Sequence, residues 1–257
     1  MEIQIKKAVK AGNSSAVILP RSWLNKEVRI ELIKKTPDTI LLDVLQIIKE
    51  HISLEEVIGI YLAGSYARNE EDQNSDIDIL VITSNIDKEM ISHENYNILI
   101  VSSKLLEQKL KKDLLPIGQM IKEAKPLLNA NYLDSIEVKI TKENISWYLK
   151  TTEEKLQIIK EFIDKTKTTK KVDSKIIYTL VLRIRTLYII KKLMNNEIYS
   201  KNEFIKIIKG ISGETKAYET YLDVKNNIKT SSKSNLKEVE KLYSYLEDQL
   251  KEIKRKI

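Results

Sequence analysis

The residues 57–82 constrain this chain more than any others. Val57–Ala63 reads Val-Ile-Gly-Ile-Tyr-Leu-Ala, a short and nearly continuous apolar run of the kind that forms a buried strand. It stops at Gly64 and Ser65, where glycine permits close backbone approach and serine is a good helix N-cap. A helix over residues 65–71 would turn its free N–H groups and positive dipole end toward whatever lies above the strand, an arrangement suited to phosphate. Arg68, one turn on, is placed to reach the same anion with a charge-assisted hydrogen bond.

Ten residues separate Ser65 from Asp76, and Ser-Asp-Ile-Asp-Ile follows at 75–79. The strand period of two puts Asp76 and Asp78 on one face and Ile77 and Ile79 on the other. Carboxylates about 7 Å apart along a strand repel each other unless a cation sits between them. Mg²⁺ suits such oxygen donors and completes its shell with water and substrate phosphates. A lone Asp-x-Asp more often marks a turn entering an ordinary strand; its union with Gly-Ser at this spacing favours the metal site.

The pattern G-S-x(10)-D-x-D resembles the polymerase β-type nucleotidyltransferase superfamily, in particular its small archaeal and bacterial members. Similarity covers residues 57–102 well and extends to about 130. The resemblance implies a short mixed sheet flanked by helices, an NTP held with two Mg²⁺ ions, and transfer of a nucleoside monophosphate to a hydroxyl with release of pyrophosphate. It assigns Gly64 and Ser65 to the triphosphate and Asp76 and Asp78 to metal and catalysis. Two departures stand out. Asn69 replaces a glycine common in relatives, a small change because asparagine tolerates the left-handed backbone. The family also carries a third carboxylate on the next strand. Here that strand is Tyr96–Ser102, and Asn97 occupies the expected position. Glu94, three residues earlier, is the candidate substitute.

Composition bounds the surroundings. The 257 residues contain no Cys and only His51 and His93, which excludes disulfides, thiolate metal sites and a histidine-rich zinc site. No apolar segment is long enough to span a bilayer and no signal peptide opens the chain, so a cytoplasmic protein without a membrane partner is expected. Charge is uneven. Residues 1–50 carry nine Lys/Arg against six Asp/Glu, residues 51–140 nine against fifteen, and residues 141–257 twenty-six against sixteen. An acidic centre thus lies between two basic ends. Basic ends suit a nucleic-acid partner, although lysine-rich helices are often only solvated surface.

The first 45 residues alternate as short strands: 1–5, 16–19, 28–32 and a returning strand at 39–42, with a turn at Gly12-Asn13 and a short helical turn after Pro20. About forty such residues cannot bury a sufficient core alone, so the unit should dimerise or pack on a neighbour. The order strand, Gly12-Asn13-Ser14, strand, Pro20, short helix, strand resembles the AbrB/SpoVT swapped-hairpin DNA-binding domains. That resemblance implies a homodimer presenting Lys6, Lys7, Lys10 and Arg21 to DNA. A dimerisation barrel that touches no DNA fits the same residues.

Residues 44–56 read as an amphipathic linker helix. After Ser102 the chain turns helical, over Ser103–Lys112 and 115–124. From residue 141 about five helices follow, with breaks near 165–171, 195–200, 210–213 and 230–234. Some helical partners of small nucleotidyltransferases resemble HEPN ribonuclease bundles, which couple arginine to histidine. No histidine follows residue 93, so Arg183 and Arg185 belong to no such site and either bind an anion or pair with acids.

The expected fold is α+β and multidomain: a small N-terminal β swapped-hairpin unit (1–45), a mixed-sheet nucleotidyltransferase core (46–140) and a C-terminal all-α helical bundle (141–257). The expected function is Mg²⁺-dependent transfer of a nucleoside monophosphate, AMP foremost, from NTP to a hydroxyl on protein, RNA or a small molecule. The alternative is a nucleotide-sensing DNA-binding regulator, or antitoxin-like protein, with an inactive transferase core.

Overall fold

The computed structural model describes residues 3–6, 8–31, 35–72, 75–166, 171–228 and 234–257. Its contacts divide the chain into two units, residues 1–36 and 37–257. In the first, β1 (Val9–Ala11) and β2 (Ser14–Ala16) form an antiparallel hairpin around Gly12, whose φ of +62° suits glycine at a tight turn. A single 3-10 turn, Arg21–Trp23, follows Pro20. No described side chain of this unit is buried. Residues 3–5 and 28–31, expected as strands, carry no strand pairing; Met1, Glu2 and Leu32 of those expectations lie outside the described residues. The swapped-hairpin pairing pattern is therefore absent among the described residues of this chain.

The expected strand at 39–42 is helical. α1 spans Pro37–Ile48 and buries Ile40, Val44, Ile47 and Ile48. That spacing of four, three and one is a helical face, Pro37 opens the first turn and Asp38 complements its dipole. The apolar triplet Ile40-Leu41-Leu42 mimics a strand only when its neighbours are ignored. α1 buries this face against the core, which therefore takes up residues 37–45.

A five-stranded mixed sheet forms the core, in the order β5-β6-β4-β3-β7. β3 is Val57–Ala63, α2 Gly64–Arg68, β4 Ile77–Thr83, β5 Lys88–His93 and β6 Tyr96–Ser102. α3 (Ser103–Lys112), α4 (Ile117–Glu123), β7 (Lys125–Leu128) and α5 (Ala130–Ser135) complete it. β4 and β6 run parallel and the other pairs are antiparallel. β4 alternates cleanly. Ile77, Ile79 and Val81 pack with Ile40, Val44 and Ile48 of α1, while Leu80 and Ile82 pack with Leu106 of α3 and Ile117 and Ile121 of α4. Asp78 thus belongs to the α3–α4 side.

The C-terminal region is helical as expected, with five helices among the described residues: α6 (Lys142–Thr166), α7 (Ser174–Met194), α8 (Lys201–Ser212), α9 (Lys216–Lys225) and α10 (Leu236–Lys256). Two short strands, β8 (Lys171–Val172) and β9 (Ser234–Asn235), pair antiparallel beside them. α10 buries Val239, Leu242, Leu246, Leu250 and Ile253, the three- and four-residue steps of one helix face, against α7 and α6. No described helix is long and apolar enough to cross a membrane.

Candidate active site

β3 delivers the chain to a turn that only glycine fits. Gly64 has φ of +66°, and a Cβ there would stand 2.1 Å from Asp78 Oδ2. The missing side chain therefore lets the β3–α2 turn lie directly against the second aspartate. α2 is one turn long, shorter than the expected 65–71, because Asn69 adopts a left-handed conformation (φ 55°) and ends it. The N-cap is Ala63 rather than Ser65. Ser65 is half-buried, and its hydroxyl meets no protein partner among the described residues.

The donors facing the turn are already engaged. The Gly64 N–H donates to Glu123 Oε1 at 2.9 Å, and Arg68 Nη1 donates to Glu123 Oε2 at 2.6 Å. Arg68 Nε donates to Glu70 Oε2 at 2.9 Å, and its guanidinium lies 5.0 Å from the Tyr199 ring centroid. Burial works against the Arg68 charge, but Glu123 and Glu70 outweigh it and hold its pKa above the ordinary value. Glu123 is 5% exposed, and burial pushes its carboxyl up despite Arg68. Gly64 and Arg68, expected at a triphosphate, both bind a buried carboxylate of α4 here.

Asp78 is half-buried on β4, in register with Ala63 on β3 and Asn97 on β6. Burial raises its pKa first and the nearby charge of Asp76 second; a hydrogen bond from Asn97 and the charges of Arg68 and Lys225 act against them. Asp76 is exposed just before the strand. The two aspartates therefore stand close enough to repel, as their spacing predicts. Asn97 turns its Oδ1 to Ser92, whose hydroxyl donates at 3.1 Å, and its amide N–H toward Asp78. The side chain at the expected third-acid position is thus a donor to Asp78. Glu94, the candidate substitute for that acid, sits at the β5–β6 turn with φ of 53°, and its charge acts on Tyr96; no three described His, Cys, Asp or Glu residues are grouped to hold a metal ion. Tyr96 belongs to the α1 side of the sheet, opposite Asp78.

Two residues at this site escaped the sequence reading. Glu123 lies at the end of α4, and its role needs the α4–α2 contact, which no local pattern encodes. Lys225 ends α9 and its charge reaches Asp78; only the basic composition of the C-terminal region pointed that way. Arg185 lies 5.1 Å from the Tyr199 ring centroid and donates to the Tyr199 hydroxyl at 3.4 Å, with no carboxylate partner among the described residues. Arg183 donates to Thr151 Oγ1 at 3.0 Å. His51 and His93 are exposed, as expected. Lys6, Lys10 and Arg21 are exposed in the first unit, and Lys7 lies outside the described residues.

A family profile described as "Nucleotidyltransferase domain" matches residues 43–207. Among curated proteins none is similar enough to match. Several solved structures are similar. A nucleotidyltransferase-like protein from Exiguobacterium sibiricum 255-15 is 12% identical over 83% of this chain and 75% of its own, with a TM-score of 0.38. Spectinomycin adenyltransferase AAD(9) from Enterococcus faecialis, solved with ATP and spectinomycin, is 14% identical over 82% of this chain and 98% of its own, with a TM-score of 0.45. A toxin–antitoxin solved with AMP-PNP is 19% identical over 47% of this chain and 96% of its own, with a TM-score of 0.26. The profile spans well over half of the chain, including β3, the Gly64 turn and both aspartates, and on that ground the protein belongs to the nucleotidyltransferase domain family.

Proposed function

We propose that the protein transfers a nucleoside monophosphate, AMP foremost, from an NTP to a hydroxyl acceptor on a protein, an RNA or a small molecule. The acceptor oxygen bonds to the α-phosphorus, the bond to the bridging oxygen breaks, and pyrophosphate leaves. The observation that carries this reading is the repelling pair Asp76 and Asp78 beside a turn that lacks a side chain at Gly64. A half-buried carboxylate raised first by burial and then by its neighbour's charge fits a divalent cation, so Asp76 and Asp78 would hold Mg²⁺. Bound there, Mg²⁺ would neutralise triphosphate charge. Ser65 offers a hydroxyl to the phosphates, and Lys225 adds a positive charge from the bundle. Asn97 accepts no proton, so the proton of the acceptor hydroxyl passes to solvent.

A second reading has its own support. Asn97 in place of an acid, donating to Asp78, suits a core that binds NTP without turning it over. In that case the protein is a nucleotide sensor with a regulatory partner. Under either reading, residues 1–36 supply a dimerisation module, because seven large apolar side chains from Ile3 to Ile30 are exposed there and none of the described ones is buried. Lys6, Lys10 and Arg21 are its candidate DNA contacts.

Incubation with each labelled NTP, Mg²⁺ and cell extract should yield pyrophosphate and a labelled acceptor, and the Asp76→Asn, Asp78→Asn double variant should yield neither. NTP binding without pyrophosphate release would transfer the conclusion to the sensor.

A further inference from the structure

Glu70 joins the nucleotide turn to the helical bundle. It follows Asn69 directly, and its side chain reaches the start of α8. Glu70 Oε1 accepts from the Ser200 hydroxyl at 2.9 Å, and the Lys201 N–H donates to both carboxylate oxygens at 3.0 Å. The same carboxylate accepts from Arg68 Nε at 2.9 Å. A negative charge from one layer therefore sits on the positive end of a twelve-residue helix in the other. Ser200 is itself the N-cap of α8, accepting from the Glu203 N–H while it donates to Glu70. The surrounding contacts fall on the same short connection. Tyr199 packs under Arg68, Lys201 pairs with Asp72 at 3.2 Å, and Lys122 donates to Asn196.

From α8 the contact continues toward the aspartates. α8 packs on α9, with Phe204 meeting Tyr218 edge-on at 6.2 Å between ring centroids. α9 ends at Lys225, whose charge acts on Asp78. Glu70 thus fixes the start of α8, and α8 packs on the helix that carries Lys225, whose charge acts on Asp78.

We propose that Glu70 is a positioning residue: it clamps the bundle onto the nucleotide turn and so keeps the α9 wall, with Lys225, over the triphosphate. The role rests on the nucleotidyltransferase reading given above. Releasing the clamp lets the wall withdraw, which weakens NTP binding more than it slows transfer of bound NTP. Arg68 keeps Glu123 when Glu70 is lost, so the turn itself retains its shape.

The test compares full-length wild type with Glu70→Ala and Glu70→Gln. Mg²⁺-ATP affinity is measured by calorimetry, KM and kcat are measured separately, and folding is checked by circular dichroism and Tm. Glu70→Ala should raise the ATP dissociation constant and KM about tenfold, within the usual range of coupling between sites, and leave kcat within about threefold. Glu70→Gln retains an acceptor oxygen and the side-chain volume, so it should fold even where alanine does not, and should fall between the two. A merely structural contact would lower Tm and leave the dissociation constant unmoved; that result in a folded variant overturns the clamp. Wild type that binds no NTP overturns the nucleotide reading and the clamp with it, whereas binding that both variants match overturns the clamp alone.

Discussion

Residues 1–36 and residues 37–257 obey the same hydrophobic logic with opposite results. In the larger unit, apolar periodicity finds partners within the chain. The alternation of β4 is sorted to two sides of a sheet, and the helical stripe of α10 closes on α6 and α7. In the smaller unit, Ile3, Ile5, Ile18, Leu24 and Ile30 remain 66–79% exposed. Pattern alone states which face is apolar, not whether this chain supplies its cover. About 36 residues with one three-residue hairpin cannot offset the entropy of ordering them. The larger unit buries its apolar faces within itself, and the smaller one leaves its apolar side chains exposed.

The largest effect that sharpens this contrast lies at the acidic pair. Asp78→Asn should lower nucleotidyl transfer by on the order of 10²–10³, the range for removing one buried electrostatic contact to the reacting group. It should not lower Tm, because the wild-type charge is held against burial and Asp76. A variant that loses stability and activity together would make Asp78 a structural residue instead.

Gly64→Ala comes next, and its effect falls on folding as well. The backbone there is left-handed, and the new Cβ meets a carboxylate oxygen on β4. Strain and overpacking together should cost about 2–4 kcal/mol, read as a drop in Tm. A variant of wild-type stability would show that the β3–α2 turn can move away from Asp78.

Much of this site was legible because its residues are close in sequence. β3, β6 and α3 have the expected limits, since each is an apolar or amphipathic run bounded by residues that end it. β5 and β7 were missed for a physical reason. Both are edge strands; Lys88–His93 is largely polar, and β7 carries Pro126, which reads as a breaker in isolation. α1 was misread from three apolar residues whose helical period shows only over twelve. Glu123 and Lys225 stand 59 and 147 residues from the elements they serve (Gly64 and Asp78), so only the tertiary fold brings them to the site.

The carboxylates on either side of Arg68 should respond to acid in opposite directions. Hydrogen bonds from Lys201, Arg68 and Ser200 overcome burial and hold Glu70 below its ordinary value of 4.5. Its stabilisation is therefore present above about that pH and lost as pH falls through the lower folded value. Glu123 is raised chiefly by burial, so between its folded value and 4.5 the folded state binds the proton preferentially and gains stability as pH falls. Glu70→Gln should flatten the acid limb of the stability curve, and Glu123→Gln should steepen it. Identical limbs in all three proteins would mean that neither carboxylate titrates with folding.

The smallest expected effect on the larger unit is also the most direct test of the contrast. Removing residues 1–36 leaves α1 whole, because Pro37 begins it and its buried face packs on β3, β4 and β6. None of the described residues removed is buried, so the cut exposes no core side chain of its own. Tm should change by less than about 2 °C, equivalent to under 1 kcal/mol for a unit of this size, and Mg²⁺-ATP affinity should be retained. The proposed dimerisation should be lost with the deleted segment, so that light scattering reads a dimer for the full chain and a monomer for the truncated one, because the exposed apolar side chains leave with it. A truncated chain that stays dimeric moves the interface to the core or the bundle. One that melts many degrees lower shows that the larger unit needs the smaller one to fold, and the contrast between them fails.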